Sequence, residues 1–258
     1  MPARGKFIAL EGIDGSGKRT QMEMLVRAFA ARGIEFVQMS FPRYEGFFGK
    51  MVAQFLNGEF GPLGAVDPHF SALLYAGDRL EAKPEIEAAL AAGRIVLADR
   101  YIGSNLAHQG ARISAKKRLE FLKWLKKLEY RVYELPAEDL VIYLRVPAAQ
   151  ARRLVDRKAA RQYTKRRRDL QEANLAHLRT ASSVYDELAR QPNWIRIECA
   201  ETNREPKEKI RTGKLAELGP TQRSRVPQTT SLRTPEAIHE EVVDAIGVRV
   251  MASLTSEG

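Results

Sequence analysis

A glycine-rich stretch near the start of the chain has the residue types and spacing that hold phosphate groups. It runs Gly12-Ile13-Asp14-Gly15-Ser16-Gly17-Lys18-Arg19-Thr20. It follows the apolar run 7–10 and precedes a helical pattern, which is the strand–loop–helix context of a phosphate-binding loop. Glycines let backbone N–H groups converge on oxyanions, and the start of the helix adds partial positive charge. We therefore predict that residues 12–20 bind a row of phosphates, with Lys18 reaching the β- and γ-phosphates.

One position departs from the usual pattern of such loops. A Ser or Thr normally follows the lysine, where its hydroxyl meets Mg²⁺. In this chain Arg19 follows the lysine and Thr20 comes after it. The stretch thus predicts phosphate binding without the usual metal ligand. The alternative is a glycine-rich turn between a strand and a helix that binds no ligand.

Two further strand ends carry charged residues. Asp99 and Arg100 follow the apolar run 95–98, and Arg43 follows the run 36–40. Asp99 has two possible roles, to orient Mg²⁺ or to hold Arg100 by a charged hydrogen bond. The two arginines are suited to phosphate oxygens because a planar guanidinium binds them in a fork. Three strand ends of this kind predict one composite site.

The elements that position these residues alternate between short apolar runs and longer helical patterns. Such alternation predicts an α/β fold, a parallel sheet covered by helices on both faces, with ligands beyond the carboxyl ends of the strands. The predicted strands are 7–10, 36–40, 95–98, 140–146 and 194–199. The predicted helices are 18–32, 46–57, 68–78, 81–92, 103–110, 114–130, 148–158, 169–190 and 235–246.

The composition places the chain among cytoplasmic proteins that have an anionic partner. Its 258 residues suffice for one domain, and a net charge of +10 suits nucleotides and nucleic acid equally. Cys199 is the only cysteine, which excludes an intrachain disulfide and favours a reducing compartment. No apolar stretch reaches the ~18 residues of a membrane span. The first apolar run is too short for a signal peptide, so we expect a soluble protein with no membrane partner.

Six motifs in order resemble the thymidylate kinase family, which moves a phosphoryl group from ATP to dTMP. The resemblance covers about residues 5–200 and resumes in the last helix. It implies a five-stranded P-loop kinase core in residues 1–200 with a small helical lid near 152–172. Residues 201–234 are then a flexible charged insertion, and 235–250 a C-terminal helix that completes the core. The motifs are residues 11–18, 41–44, 75–79, 99–105, 107–110 and 169–172.

The resemblance implies roles for individual residues at the dTMP site. Asp14 would lie near the transferred phosphate, and Arg43 and Arg100 would grip the acceptor phosphate. Arg79 would hydrogen-bond thymine and Tyr75 would stack on it. Without the resemblance, Tyr75 is better explained as a core residue and Arg79 as a solvated one. The other residues implied around dTMP are Phe41, Tyr44, Ser104, Asn105, His108, Gln109 and Glu172.

His108 and the basic segment 152–168 each allow two interpretations. His108 stands where many relatives have an aromatic residue that crowds a ribose 2′-hydroxyl, but it also suits a helix surface. The basic segment resembles the lid that closes over ATP, and the resemblance implies a catalytic arginine there, Arg157 or Arg161. The consecutive charges at 165–168 are better explained as a solvated face. The resemblance further implies Mg²⁺ as cofactor, held near Asp14 and Asp99.

Other functions and an oligomer remain open at this point. One alternative is a kinase for another nucleoside monophosphate or a deoxynucleoside. A remote one is a nucleotide-switched protein that binds nucleic acid, which the charge suggests but no motif supports. Relatives form homodimers, and a homodimer would explain the apolar residues of helix 46–57, although core packing explains them nearly as well. These are Phe47, Phe48, Met51, Phe55 and Leu56.

Overall fold

A computed structural model describes residues 4–156, 175–203 and 229–251. Within them, five parallel strands form one sheet in the spatial order β2-β3-β1-β4-β5. This confirms the predicted α/β fold with a five-stranded parallel sheet. The strands are β1 (Phe7–Glu11), β2 (Phe36–Ser40), β3 (Ile95–Asp99), β4 (Leu140–Arg145) and β5 (Trp194–Glu198).

Strand β1 lies at the centre of the sheet and carries the phosphate-binding loop at its end. It pairs with β3, where Phe7 lies opposite Val96, and with β4, where Ile8 lies opposite Leu140. All five residues of β1 are buried, so both faces of the sheet are covered here, as expected for parallel sheets. Because β2 and β3 are the next strands on one side, the three strand ends predicted to converge are neighbours.

Eight helices pack around the sheet in the described part of the chain. Helix α1 contacts β1, β3 and α8, while α3 contacts α2, α4 and β3. The helices are α1 (Lys18–Ala31), α2 (Phe47–Asn57), α3 (Pro68–Ala91), α4 (Ile102–Gly110), α5 (Ala115–Lys127), α6 (Ala148–Asp156), α7 (Leu175–Leu188) and α8 (Pro235–Ile246). Two π-helical turns follow α5 and α8, at Leu128–Val132 and Gly247–Met251.

The prediction of two separate helices at 68–78 and 81–92 is wrong. Helix α3 is continuous and contains Pro84. Proline removes one backbone hydrogen bond from a helix, but the residues around it, Ala82 and Ile86, are fully buried. Their burial against the core outweighs the lost hydrogen bond. Helix α3 therefore runs the whole way from the loop after α2 to β3.

Part of the predicted flexible insertion 201–234 is instead a strand pair. Ala200–Asn203 (β6) pairs antiparallel with Thr229–Leu232 (β7). Arg233 then donates from its backbone N–H to the carbonyl of Cys199 at 3.0 Å, which ties the pair to the end of β5. The prediction missed this pair because its strands are short and polar. Residues 204–228 lie outside the described part of the chain.

A small apolar cluster joins α2 to α3 beside the main core. Its buried members are Val52, Phe55, Leu56, Val66 and Leu74, and Tyr44 and Tyr75 pack against it. The cluster therefore holds these two tyrosines beyond the end of β2, which is where the predicted base site lies. Among the described helices, none combines the length and apolar character that a membrane crossing needs.

Candidate active site

The loop after β1 follows a path that requires glycine at two positions. Gly12 and Gly15 have φ angles of 145° and 86°, which residues with side chains rarely adopt. A Cβ on Gly12 would lie 2.6 Å from the carbonyl oxygen of Leu144, and one on Gly15 2.2 Å from that of Ala151. The loop thus rests directly on β4 and α6. Helix α1 begins where the loop ends, at Lys18.

Lys18 is folded back onto its own loop. Its ammonium group donates to the carbonyl oxygens of Gly12 at 2.8 Å and Ile13 at 3.1 Å. Burial, followed by the positive charge of Arg100, lowers the pKa of Lys18 to about 8. An oxyanion bound in the loop would stabilise the charged lysine. The arrangement is that of a phosphate site with a buried cation at its centre.

Arg100 supplies a second cation beside the loop. Its guanidinium contacts the Asp14 carboxylate at 2.6 Å and donates to the carbonyl of Gly12 at 3.2 Å and to the Ser104 hydroxyl at 3.1 Å. Burial by itself lowers the pKa of Arg100, but the combined attraction of Asp14 and the other acidic groups around it outweighs burial and raises that pKa well above its ordinary value. Arg100 is therefore a permanent cation held at one end of the cleft described next.

A cleft opens between the loop, the end of β2 and helices α3 and α4. Its empty volume, which includes open solvent, is about 490 Å³. One end carries the charged pair Asp14 and Arg100, whereas the other is built from aromatic and amide side chains. The full lining is Asp14, Phe41, Pro42, Tyr44, Leu56, Tyr75, Arg79, Arg100, Tyr101, Ser104, Asn105, His108 and Gln109. Such a cleft suits an elongated ligand with an anion at one end and a planar ring at the other.

The amide-lined end of the cleft, opposite Asp14 and Arg100, also contains a buried ion pair. Arg79 donates from Nε and Nη2 to the two carboxylate oxygens of Glu129, at 2.6 and 2.8 Å. Both side chains are almost fully buried. Burial by itself lowers the pKa of Arg79, but the charge and hydrogen bond of Glu129, together with the charge of Asp78, raise it above its ordinary value. Arg79 is thus held rigidly in the wall of the cleft and is not solvated.

His108, which lines the cleft, is in contact with a second histidine. His108 Nδ1 lies 3.4 Å from His177 Nε2. Burial, followed by the charge of Arg100, lowers the pKa of His108 well below its ordinary value. Burial also lowers the pKa of His177, to about 4. Both rings are therefore neutral at neutral pH. The interpretation of His108 as a helix-surface residue is wrong, because the side chain is buried.

The family follows from comparison with known proteins. A sequence profile described as "Thymidylate kinase" matches residues 10–210 of the chain. The chain belongs to the thymidylate kinase family. A thymidylate kinase from Mycobacterium tuberculosis H37Rv is 35% identical over 186 residues, covering 72% of this chain and 86% of that protein. A probable thymidylate kinase from Pyrobaculum aerophilum is 34% identical over 204 residues, covering 76% and 94%.

Two further comparisons extend the range of relatives. The human thymidylate kinase is 33% identical over 148 residues, which cover 57% of this chain and 64% of that protein. A solved structure of thymidylate kinase from Candida albicans superposes with a TM-score of 0.60 at 22% identity. It covers 77% of this chain and 85% of that chain. This likeness supports the fold alone.

Most of the residues that the family resemblance implied at the dTMP site lie together in the cleft. Among the described residues, Arg43 is the exception. The contacts with dTMP that the resemblance assigns to all these residues stay predictions. The predicted residues that line the cleft are Asp14, Phe41, Tyr44, Tyr75, Arg79, Arg100, Ser104, Asn105, His108 and Gln109. Three predicted site residues, Arg157, Arg161 and Glu172, lie outside the described residues.

Arg43 is the predicted residue that the structure places elsewhere. Its guanidinium lies 3.4 Å from the carboxylate of Glu85 on α3, and its side chain does not line the cleft. The attraction of Glu85 accounts for this orientation. The backbone N–H of Arg43 instead donates to Asp78 at 3.1 Å. Burial raises the pKa of Asp78 to about 6.

The oxygen atoms near the loop fit a magnesium site that phosphates complete. Asp99 has a buried carboxylate oxygen without a hydrogen-bond partner among the described residues. The carboxylate of Asp14, in the loop itself, contacts the guanidinium of Arg100. No group of three acidic, histidine or cysteine side chains that could hold a metal occurs in the described chain. Mg²⁺ in kinases takes one or two carboxylates and completes its shell with waters and substrate phosphates. The exposed Arg19 pairs with Glu23 at 2.9 Å and points away from the site.

Three residues that shape the site were given no individual role in the prediction, although Glu11 was noted as an acidic strand end beside the loop. Glu11 accepts hydrogen bonds from the start of α4, Glu129 holds Arg79, and His177 contacts His108. Glu11 carried a signal, since it is an acid that ends a buried strand. Glu129 and His177 carried none, because a single Glu or His in a helical pattern resembles a surface residue.

Proposed function

We propose that this chain transfers the γ-phosphoryl group of ATP to dTMP, giving dTDP and ADP. The observation that carries the proposal is the cleft, which has a cationic end beside the phosphate loop and an amide-lined end beyond it. This matches a nucleoside monophosphate whose phosphate faces the loop. Membership in the thymidylate kinase family points to dTMP as that nucleotide.

The mechanism depends on placement and on charge. An acceptor phosphate at the cationic end would meet Arg100, and the γ-phosphate of ATP in the loop would meet Lys18. The acceptor oxygen is already anionic, so the reaction needs no general base. The two cations would offset the repulsion between the phosphates and the charge that develops on the transferred group.

The cofactor and the lid complete this proposal. Asp99 and Asp14 would hold Mg²⁺, which supplies Lewis-acid neutralisation of phosphate oxygens when bound. The predicted lid near 152–172 would close over ATP and exclude water, with Arg157 or Arg161 contacting the donor phosphates. The family resemblance supports the lid, and the basic composition of the segment suits contact with ATP.

The experiment is a substrate panel with the full chain. ATP, Mg²⁺ and each of dTMP, dUMP, UMP, CMP, AMP and GMP are incubated with the protein, and ADP release is coupled to a spectroscopic readout. We expect dTMP to give the highest kcat/KM. Lys18→Ala is the control for ATP-dependent turnover. Absence of dTDP formation by the folded wild-type chain would refute the proposal, and preference for another monophosphate would favour a sibling kinase.

We also propose that the chain forms a homodimer through α2 and α3. Phe47 at the start of α2 is 70% exposed, and Phe70, Leu73 and Leu80 on α3 are each more than a third exposed. The three α3 residues lie on one face because they are spaced by three and seven positions. The half-buried and buried residues of α2, from Phe48 to Leu56, pack inward, so core packing explains those but not Phe47.

Charge reversal of this apolar face tests the dimer. We expect the wild type to have the mass of two chains in light scattering after gel filtration. The double variant Leu73→Glu/Leu80→Glu should be a monomer, because a buried carboxylate without a partner opposes association. Leu119→Glu on α5 replaces a more exposed leucine outside this face (65%) and should remain a dimer. A monomeric wild type would contradict the proposal.

A cytoplasmic location is part of the same proposal. Cys199 is the only cysteine of the chain and its side chain is buried. Burial raises the pKa of the thiol to about 12, so the residue stays a protonated packing group. A reducing compartment suits a chain without a possible internal disulfide.

A further inference from the structure

The amide-lined end of the cleft contains two buried polar atoms without hydrogen-bond partners in the described chain. They are Oδ1 of Asn105 and Nε2 of Gln109, and both residues line the cleft. A buried polar atom normally has a partner, and leaving one unpaired costs free energy. A ligand that pairs with both atoms would therefore gain that free energy on binding.

The orientation of the Asn105 amide follows from its neighbours. Its nitrogen lies 3.0 Å from the carbonyl oxygen of Ala72 and 2.8 Å from a carboxylate oxygen of Glu129. Both neighbours only accept hydrogen bonds, so the flipped amide would place its oxygen against two acceptors. Both N–H groups of Asn105 are thus in use. Asn105 can offer a ligand only an acceptor.

The Gln109 amide is oriented in the opposite sense. Its oxygen accepts from the Ser71 hydroxyl and from the Arg112 guanidinium, each at 2.9 Å. A guanidinium only donates, so the amide oxygen must face it. The Gln109 nitrogen is left to donate to a ligand. Arg79 adds a second donor, because within the described ranges its Nη1 donates only to the carbonyl of Tyr101, at the long distance of 3.5 Å.

Glu129 connects these groups from a distant part of the chain. It lies in the π-helical turn after α5 and is fully buried. The same carboxylate accepts from Arg79 through both oxygens and from Asn105 through one of them. Glu129 therefore fixes a donor, Arg79, and an acceptor, Asn105, of the amide-lined end at the same time.

We infer that Glu129 is a positioning residue that selects 4-oxopyrimidines over cytosine. The inference rests on the proposed function. In thymine and uracil, the ring N3–H can donate a hydrogen bond to the Asn105 oxygen. Their carbonyl oxygens can accept hydrogen bonds from Arg79 and Gln109. Cytosine has an acceptor at N3 and an amino donor at C4, so at least two contacts would oppose like groups. Sites that leave buried polar groups unpaired reject the wrong ligand strongly.

The test compares Glu129→Gln with the wild type on dTMP and dCMP. A glutamine has the same size but one accepting oxygen, so it cannot hold both Arg79 and Asn105, and the Asn105 amide becomes free to rotate. We expect the ratio of kcat/KM for dTMP to that for dCMP to fall about tenfold or more. The change should lie mainly in KM for dTMP, with kcat less affected. Glu87→Gln on the exposed face of α3 is the matched control and should keep the wild-type ratio.

The outcomes separate the inference from the proposed function. If the wild type phosphorylates dTMP and Glu129→Gln keeps both the wild-type ratio and KM, the inference is overturned while the function stands. If the wild type does not phosphorylate dTMP at all, the proposed function fails first. Circular dichroism and thermal melting report whether Glu129→Gln is folded. If it is not, Asn105→Ala takes over the test, and an unchanged ratio in that variant also overturns the inference.

Discussion

Arg100 and Asp14 form a close ion pair at the point where the acceptor phosphate is proposed to bind. Their charged atoms are 2.6 Å apart, and an incoming phosphate would compete with the carboxylate for the same guanidinium. The pair thus keeps the arginine oriented before the substrate arrives. Its contribution to catalysis lies in charge held at a fixed position, which water cannot reproduce.

Removal of this charge should affect turnover far more than folding. We expect Arg100→Ala to lower kcat by about 10²- to 10³-fold while the thermal unfolding temperature changes little. Arg100→Lys is the matched control, because it keeps the charge but loses the fork, and should recover part of the rate. Steady-state kinetics with dTMP and ATP measure both. Turnover by Arg100→Ala within a few-fold of wild type would exclude Arg100 from the mechanism.

The lowered pKa of Lys18 predicts proton uptake when ATP binds. With a pKa of about 8 in the free protein, about half of the lysine is neutral at pH 8. Phosphates in the loop favour the charged form, so binding at pH 8 should take up a proton, and binding at pH 6 should not. Calorimetry in buffers of different ionisation enthalpy measures the number of protons taken up on binding. An uptake at pH 8 that persists in Lys18→Met would assign the proton to another group.

At the scale of single residues, the sequence predicted the side chains that lie at the loop and the cleft better than those that hold them in place. Gly12 and Arg100 follow strands directly, and Lys18 comes at the end of the loop after β1, so their position in the chain predicts their position in space. Glu129 reaches Arg79 across 50 positions of the chain, and no local pattern encodes such a contact. Arg43 was predicted at the acceptor phosphate, but the nearby Glu85 attracts it on the helix surface.

Helix α4 depends on a residue outside itself. Its first N–H groups receive no side-chain cap from the residue before it, Tyr101. The Glu11 carboxylate at the end of β1 accepts from the N–H groups of Tyr101 and Ser104, at 2.8 and 2.9 Å. It also accepts from the hydroxyls of Ser104 and Tyr185. A carboxylate suits this place because it satisfies the free N–H groups and the helix dipole.

Loss of this cap should destabilise the fold. Glu11→Ala leaves four buried donors without their acceptor, and we expect the free energy of unfolding to fall by about 3 kcal/mol. Glu11→Gln keeps an oxygen for the N–H groups and an amide that can donate to the hydroxyls, so its loss should be about 1 kcal/mol. Urea denaturation measures both. Equal stability of Glu11→Ala and wild type would show that α4 needs no cap from β1.

The elements themselves were predicted well where hydrophobic periodicity is strong. All five strands of the sheet lie within one residue of the predicted positions at each end. The errors concern α3, where a break was predicted between residues 78 and 81, and the strand pair β6–β7, whose short polar strands carry no alternation. In both cases tertiary contacts decide the structure, and a local pattern does not contain them.

For the whole molecule, a buried carboxylate couples stability to pH. Glu138 accepts a hydrogen bond from Tyr130 at 2.7 Å. Burial raises the pKa of Glu138 from its ordinary value of 4.5 to about 7. The folded protein therefore binds a proton that the unfolded chain releases between these values. Stability from this group is complete below pH 4.5 and is lost as the pH rises through 7.

Glu138→Gln should remove this dependence. Relative to wild type, the variant should gain free energy of unfolding between pH 5 and pH 8, by up to about 3 kcal/mol. Denaturation curves at several pH values measure the difference, and Glu187→Gln on the exposed side of α7 is the control that should show no trend. A difference between wild type and Glu138→Gln that does not change with pH would mean that Glu138 is ionised throughout.

The position of β1 between β3 and β4 has a consequence for synthesis on the ribosome. The glycine loop rests on the carbonyl of Leu144, and β1 finds its neighbours only near residues 96 and 140. A nascent chain that has emerged as far as α5 has the whole loop but not the strand that supports it. Competence to hold a nucleotide therefore arrives late in translation, long after the residues that give it have left the exit tunnel.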